Sequence, residues 1–370
     1  MRLLHADFCD NFLMRYLLAF FVFLAVTTFA QQVQLSHTEE SLRGVSAVSR
    51  EVVWASGTHG TYLRTTDGGR TWKPGQVLDA AALDFRGVVA FSAEEAFLMS
   101  SGTGEQSRIY HTSDAGRHWE LQFTNSDPKG FFDSMAFWDS RHGVALGDPV
   151  PDEAGKLKFE VLLTDDGKNW HRVPGTQLPV AAEGEGAFAA SNSCIAILRS
   201  SSDTNIWFAT GGKVARVFHS PDRGRSWEVV DTPMIHGADS TGIFSIAFRD
   251  AMHGVIAGGD YKRPNDDGPN LAFTDDGGKS WNLSRLRPLA FFSAAVYDRR
   301  GGGMQAAKNK RPSERIFLVG QNFVFDFRPP GDPQRISPKK SSGIKFNAAS
   351  PFPEGGVVVV GAKGAIAVIP

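Results

Sequence analysis

The hydrophobic positions of this chain fall in short runs broken by polar turns, at a spacing that predicts strands throughout. "TYLRT", "RIYHT", "KFEVLLT", "ARVFHS" and "NLAFT" combine alternation with β-branched or aromatic residues. Each run feeds a polar stretch ending in tryptophan: "TTDGGRTW" (Thr65 to Trp72), "TSDAGRHW" (Thr112 to Trp119), "TDDGKNW" (Thr164 to Trp170), "SPDRGRSW" (Ser220 to Trp227) and "TDDGGKSW" (Thr274 to Trp281). The shared template is hydroxyl–x–Asp–x–Gly–x–x–Trp, with the third copy one residue short. Upstream of each copy lies a second unit, an apolar strand, a polar turn and another apolar strand, as in "GVSAVSREVVWASG" and "FSIAFRDAMHGVIAGGD". That unit returns twice more without the octet, in "FSAAVYDRRG…RIFLVGQ" and "FNAASPFPEGGVVVVGAKGAIAVI".

Repetition decides what the octets are for. Asp67, Asp114, Asp166, Asp222 and Asp276 follow one another at gaps of 47, 52, 56 and 54 residues. A catalytic site is built once per domain, whereas a turn is built once per repeat. The aspartates therefore read as hairpin turns: Asp accepts hydrogen bonds from the backbone just ahead, and Gly supplies a positive φ. Trp72, Trp119, Trp170, Trp227 and Trp281 read as wedges, each burying roughly 150–250 Å² between repeats. Seven units over residues 31 to 370 average about 49 residues each, the size of a four-stranded blade. The last unit offers three strands, and the orphan segment "QQVQLSHTEE" precedes the first. The pattern predicts an all-β chain, one seven-bladed β-propeller of four-stranded antiparallel blades spanning 31–370. Its ring is closed by the N-terminal strand in the last blade, which removes an open edge.

The octets resemble Asp-boxes, the bacterial neuraminidase repeats of sialidase-type and sortilin-type propellers. The resemblance implies a turn between the two outer strands of a blade, remote from the ligand-binding face. Across nearly the whole mature chain the sequence is also similar to the photosystem II stability/assembly factor-like family, through "GDP" (Gly147 to Pro149), "ATGG" (Ala209 to Gly212), "GIFSIAF" (Gly242 to Phe248) and "GGDY" (Gly258 to Tyr261). That likeness implies a propeller that binds a protein assembly intermediate and catalyses nothing.

Composition and charge remove several alternatives. A net charge of −1 gives no reason to expect nucleic acid or an anionic membrane as partner. The basic stretch "KNKRPSER" (308 to 315) reads as a solvated loop. Tyr16 to Ala30 is an apolar run of 15 residues behind Arg15, too short for a membrane span of about 20. Residues 1–30 are expected to be a signal peptide cleaved near Ala30–Gln31, with Met14 as an alternative start and a secreted or periplasmic destination. After cleavage no membrane insertion is expected. Cys9 would leave with the leader, so Cys194 would be alone and read as a buried small hydrophobe. No Cys/His cluster suggests a metal, and no cofactor motif stands out; both are expected to be absent.

If the Asp-boxes occupy one face, the long loops free for function gather on the other. "GDPVPDEAGKLK" supplies Asp148 and Asp152, and "GGDYKRPNDDGPN" supplies Asp260, Tyr261, Lys262 and Arg263. "AAEGEGAFAA" adds Glu183 and Glu185, while "MIHGADSTG" adds His236, Asp239 and Ser240. These loops predict a face that binds a protein or peptide in the cell envelope, with a glycan as the other ligand class and a monomer as the working form. The alternative is a glycoside hydrolase using Asp148, Asp260 and Tyr261, which needs two carboxylates about 5–9.5 Å apart across an open cleft. A sialidase site is disfavoured, since the arginine-Ile/Leu-Pro signature is missing and only Tyr261 lies on a loop of the correct face.

Overall fold

The computed structural model describes residues 32–200, 202–285, 290–299, 314–329, 334–336 and 343–370. The expected signal peptide, Met14, Cys9 and residues 308–313 of the basic stretch lie outside the described residues. Contacts divide the chain into Met1–Ala30 and Gln31–Pro370, and the described residues all belong to the second unit.

Seven antiparallel sheets follow one another along this unit. Within each blade the strands run from the innermost, A, to the outermost, D. Blade 1 is Leu42–Ala47, Val53–Gly57, Thr61–Thr65 and Lys73–Gln76; blade 2 is Phe85–Ala90, Ala96–Ser100, Arg108–Thr112 and Glu120–Thr124. Blade 3 is Phe132–Phe137, Gly143–Pro151, Leu157–Thr164 and His171–Arg172. Blade 4 is Ile195–Ala196, Ile206–Ala209, Arg216–Ser220 and Glu228–Asp231. Blade 5 is Thr241–Phe248, Gly254–Asp260, Leu271–Thr274 and Asn282–Leu283; blade 6 is Phe292–Tyr297, Ile316–Gly320, Phe323–Phe327 and Gln334–Arg335. Blade 7 takes Phe346–Pro351, Val357–Gly361 and Ile366–Ile369 from the end of the chain and Gln32–Gln34 from its beginning. Gln32 pairs with Val368 and Gln34 with Ile366, so the ring closes as the orphan segment predicted.

Burial explains the composition of the strands. The B strands lie between neighbouring blades and, apart from the last four residues of Gly143–Pro151, are buried along their length, which is why "VWASG", "AFLMS", "IFLVG" and "VVVVG" are apolar without alternation. Seven apolar clusters fill the seven blade interfaces, for example Leu63, Trp72 and Val358 between blades 7 and 1. The inner strands also touch their neighbours all round the ring. Side chains bond them together: Ser350 accepts the Ala47 N–H at 3.0 Å, Ser46 that of Ala90 at 3.0 Å, Asn192 that of Met135 at 2.8 Å and Ser245 that of Ala295 at 2.9 Å.

Two features depart from a uniform propeller. "AAEGEGAFAA" contains a strand, Glu185–Gly186, paired with Gly211–Gly212, and the pair extends the sheet of blade 5 to six strands. Blade 4 correspondingly keeps an inner strand of only two residues. The second feature is a register shift near the start of the inner strand in six blades. It leaves Arg43, Arg86, Asp133, Phe244, Ser293 and Asn347 unpaired at equivalent positions of a β-bulge.

Candidate functional site

The five boxes share one hydrogen-bonding scheme, in the turn between the C and D strands. In blade 1 the Thr65 hydroxyl donates to Asp67 Oδ1 at 2.8 Å and accepts the Gly69 N–H at 2.9 Å. Asp67 accepts the N–H of Thr71 at 2.9 Å and its hydroxyl at 2.5 Å. Asp114 with His118, Asp222 with Ser226 and Asp276 with Ser280 repeat the scheme. The shortened third box keeps it by closing one residue earlier, Asp166 accepting the Asn169 N–H at 2.7 Å and its side-chain amide at 2.7 Å. The residue before each Trp is therefore a second anchor, and its identities, Thr, His, Asn, Ser and Ser, are the sequence signal for it. The Thr71 hydroxyl and N–H hold the Asp67 carboxyl down to about 2. In Asp276, burial pushes upward but the hydrogen bonds from Ser280 and Thr274 prevail and bring it to about 2.

The first and third boxes are also fastened to the preceding blade, each by a glutamine that nothing in its sequence context marks. Gln34 donates to the Gly68 carbonyl at 2.9 Å and accepts the Trp72 indole N–H at 2.9 Å. Gln122 does the same for Gly167 and Trp170, at 2.9 and 3.1 Å. Trp119 packs edge-on against Trp54 and Tyr62 of blade 1, and Trp281 against Phe248 within the cluster between blades 4 and 5. Trp227 packs on Phe208 and donates to the Gly224 carbonyl at 3.1 Å. Gly116 takes a positive φ of 84° where the Tyr62 ring occupies the space a Cβ would need, and the Tyr62 hydroxyl donates to its carbonyl at 2.7 Å.

The opposite face carries the B–C and D–A loops, and the structure sorts the predicted site residues into two groups. Glu185 is buried. It accepts two hydrogen bonds from Arg216, one of them at 3.0 Å from Nε, and others from Thr210 at 2.6 Å and from the Ala182 N–H at 2.8 Å. Asp260 is buried too and holds its own loop, accepting the Lys262 N–H at 2.9 Å and Arg263 Nε at 2.9 Å. Burial raises its carboxyl, but Arg263 and the other donors outweigh burial and lower it. Asp152 closes a hairpin by accepting the N–H groups of Ala154 and Lys156, both at 2.9 Å. Glu183, His236, Asp239, Tyr261, Lys262 and Arg263 are exposed on the rim, and Lys262 lies over the Tyr261 ring at 6.0 Å.

Asp148 sits deeper, its Oδ1 accepting the Ala187 N–H at 2.9 Å. Burial pushes its carboxyl up to about 6 against that hydrogen bond, with help from the negative charge of Glu160. Behind it lies a carboxylate that the loop pattern does not single out. Asp133, one of the bulge residues, is 1% exposed, and neither of its carboxylate oxygens has a hydrogen-bond partner. Burial, then Asp148, pushes it well above the carboxylate range, with Arg86 pulling the other way. Burial thus raises both carboxyls, and the negative charge of Asp148 adds to the rise at Asp133. The bulge pattern, apolar–x–small as in "LRG", "FRG" and "FDS", is the sequence signal for Arg43, Arg86 and Asp133.

Chemically, Glu185, Asp152 and Asp260 are committed to the fold. Asp148 titrates as a general acid would, but Asp260 is tied to Arg263, and neither acts electrostatically on the other. Cys194 is a buried free thiol, raised further by burial and by Asp133, and so is not poised as a nucleophile. Among the described residues no group of His, Cys, Asp and Glu could hold a metal ion, and no helix is long and apolar enough to cross a membrane.

Strand order, box turns and loop placement define the class as a seven-bladed Asp-box β-propeller. A family model described as "Photosynthesis system II assembly factor YCF48" matches residues 24–130. A solved structure of YCF48 bound to D1 peptide has a TM-score of 0.62 at 16% identity, covering 92% of this chain and 96% of that one. Two other propellers are similar at the level of fold. U3-55K has a TM-score of 0.61 at 11% identity, over 93% of this chain and 99% of that one. The WD40 propeller domain of Doa1 has 0.58 at 12%, over 92% and 97%. Comparison with curated proteins returns no match. The chain is a seven-bladed β-propeller whose residues 24–130 are similar to the YCF48 family model.

Proposed function

We propose that this protein is an exported, non-catalytic propeller that binds a segment of a protein partner on the face opposite the Asp-boxes. The observation that carries the reading is the division of labour on that face. Asp148, Glu185 and Asp260 are bonded within the fold, while Tyr261, Lys262, Arg263, Glu183, His236 and Asp239 stand exposed around them. A rim of one aromatic with both signs of charge around a set frame suits an extended peptide better than a reacting small molecule. The likeness to a YCF48 structure holding a D1 peptide supports the same reading. Export rests on the apolar run from Tyr16 to Ala30 behind Arg15.

The test is retention of partners from envelope extract by wild type and by a Tyr261→Ser/Lys262→Ser variant. The reading predicts a discrete protein retained by wild type and lost by the variant at unchanged Tm. Equal retention by both would contradict it. The titration of Asp148 favours glycoside hydrolysis as the second reading. It predicts turnover of a glycan that Asp148→Asn abolishes.

A further inference from the structure

The other mouth of the central channel, on the Asp-box side, holds two arginines that the proposed function does not use. Arg199 follows the inner strand of blade 4 and Arg299 that of blade 6, so both leave their strands where the A–B turns lie. Both line a channel cavity of about 220 Å³, together with Ser191, Ser193 and Tyr297. Ser46, Asn192 and Ser350 line it too, among aliphatic residues such as Val45, Val89 and Ile197. Neither guanidinium has a hydrogen bond or ion pair among the described residues. Arg172, Arg216, Arg263 and Arg315 by contrast each meet a carboxylate.

The electrostatics are one-sided. The surrounding protein disfavours the charged form of Arg199, and its one charged neighbour of consequence is Arg299. Arg299 is disfavoured by burial alone, with no carboxylate acting on it. Arg199 is open to water through the mouth, so an ion can reach the pair from solution. Two like charges that share one cavity repel, and water screens them least on the side of Arg299, the less exposed of the two. What relieves them is a ligand with two negative charges.

We propose that this mouth is an oxyanion site that takes a phosphate dianion, free or as the monoester of a small molecule, with Arg199 and Arg299 as its clamps. A carboxylate would neutralise only one guanidinium. Phosphate carries about −1.5 to −2 charges at pH 7 and presents oxygens in the geometry that guanidinium N–H groups match. The site lies across the ring from the peptide-binding rim and does not rest on that reading.

Calorimetric titration of the purified protein at constant ionic strength tests it, with inorganic phosphate, glycerol 3-phosphate and chloride as probes. Both phosphates, or one of them, should bind saturably while chloride does not. Tighter binding of inorganic phosphate would identify the free ion as the ligand, and tighter binding of the ester a phosphorylated small molecule. Arg199→Gln and Arg299→Gln should each weaken Kd at least tenfold. Each should also raise the Tm of the unliganded protein, which shows that the variants fold and that the repulsion was real. Phosphate binding no better than chloride, or an unchanged Kd in both variants, would overturn the proposal.

Discussion

At the residue scale, this protein uses aspartate in two opposite electrostatic settings, and pH separates them. The box carboxylates are held low, so the folded state binds fewer protons than the unfolded chain in acid. Their stabilisation is fully present above about pH 4 and is lost as pH falls towards the value of about 2 seen for Asp276. Asp133 and Asp148 are held high, so their sign is reversed. Above the unfolded value of 3.8 the unfolded chain loses these protons first, and stability falls as pH rises. Asp148 contributes to that fall up to about pH 6, and Asp133 adds to it in the same direction. Urea unfolding between pH 4 and 8 should therefore show declining stability. Asp133→Asn should flatten that decline, by at most about 1.4 kcal/mol per pH unit, and leave the variant more stable than wild type at pH 8. Parallel profiles for the two proteins would show that Asp133 ionises freely in the fold.

At the element scale, repetition makes most of the fold legible in the sequence and local exceptions hide the rest. The octets show where the C and D strands turn, because Asp, Gly and a hydroxyl have few other reasons to recur together. Closure by the N-terminal strand is legible because one blade is a strand short while one segment has no partner. The two added strands of the extended blade are not legible. Glu185–Gly186 and Gly211–Gly212 are two residues each and glycine-rich, below the length at which alternation can register. Glu185 consequently reads as a free loop group, although Arg216 and Thr210 enclose it. Asp133 escapes because a bulge residue inside an apolar strand looks like a polar interruption. Closure also makes the short first strand disproportionately important, since it pairs with Ile366–Ile369 and holds the first box through Gln34. Deleting Gln32–Gln34 should lower the Tm and expose the edge of the last blade, giving concentration-dependent association in sedimentation. A deletion variant that stays monomeric with wild-type Tm would show that the ring does not depend on this closure.

At the scale of the whole molecule, the two faces of the ring have different duties. Five aspartate turns and the A–B turns occupy one face, where the fold is fastened blade to blade. The long loops occupy the other, on a frame in which Glu185 and Asp260 are each paired with an arginine. Recognition on that second face is the proposal from which the molecule's working role derives. A photo-crosslinking residue placed at Tyr261, and in a control at the exposed Met252 of an A–B turn, tests it in envelope extract. A discrete protein adduct is expected from position 261 and none from position 252. An adduct from position 252 alone would put the binding surface on the Asp-box side and refute recognition by the loop face.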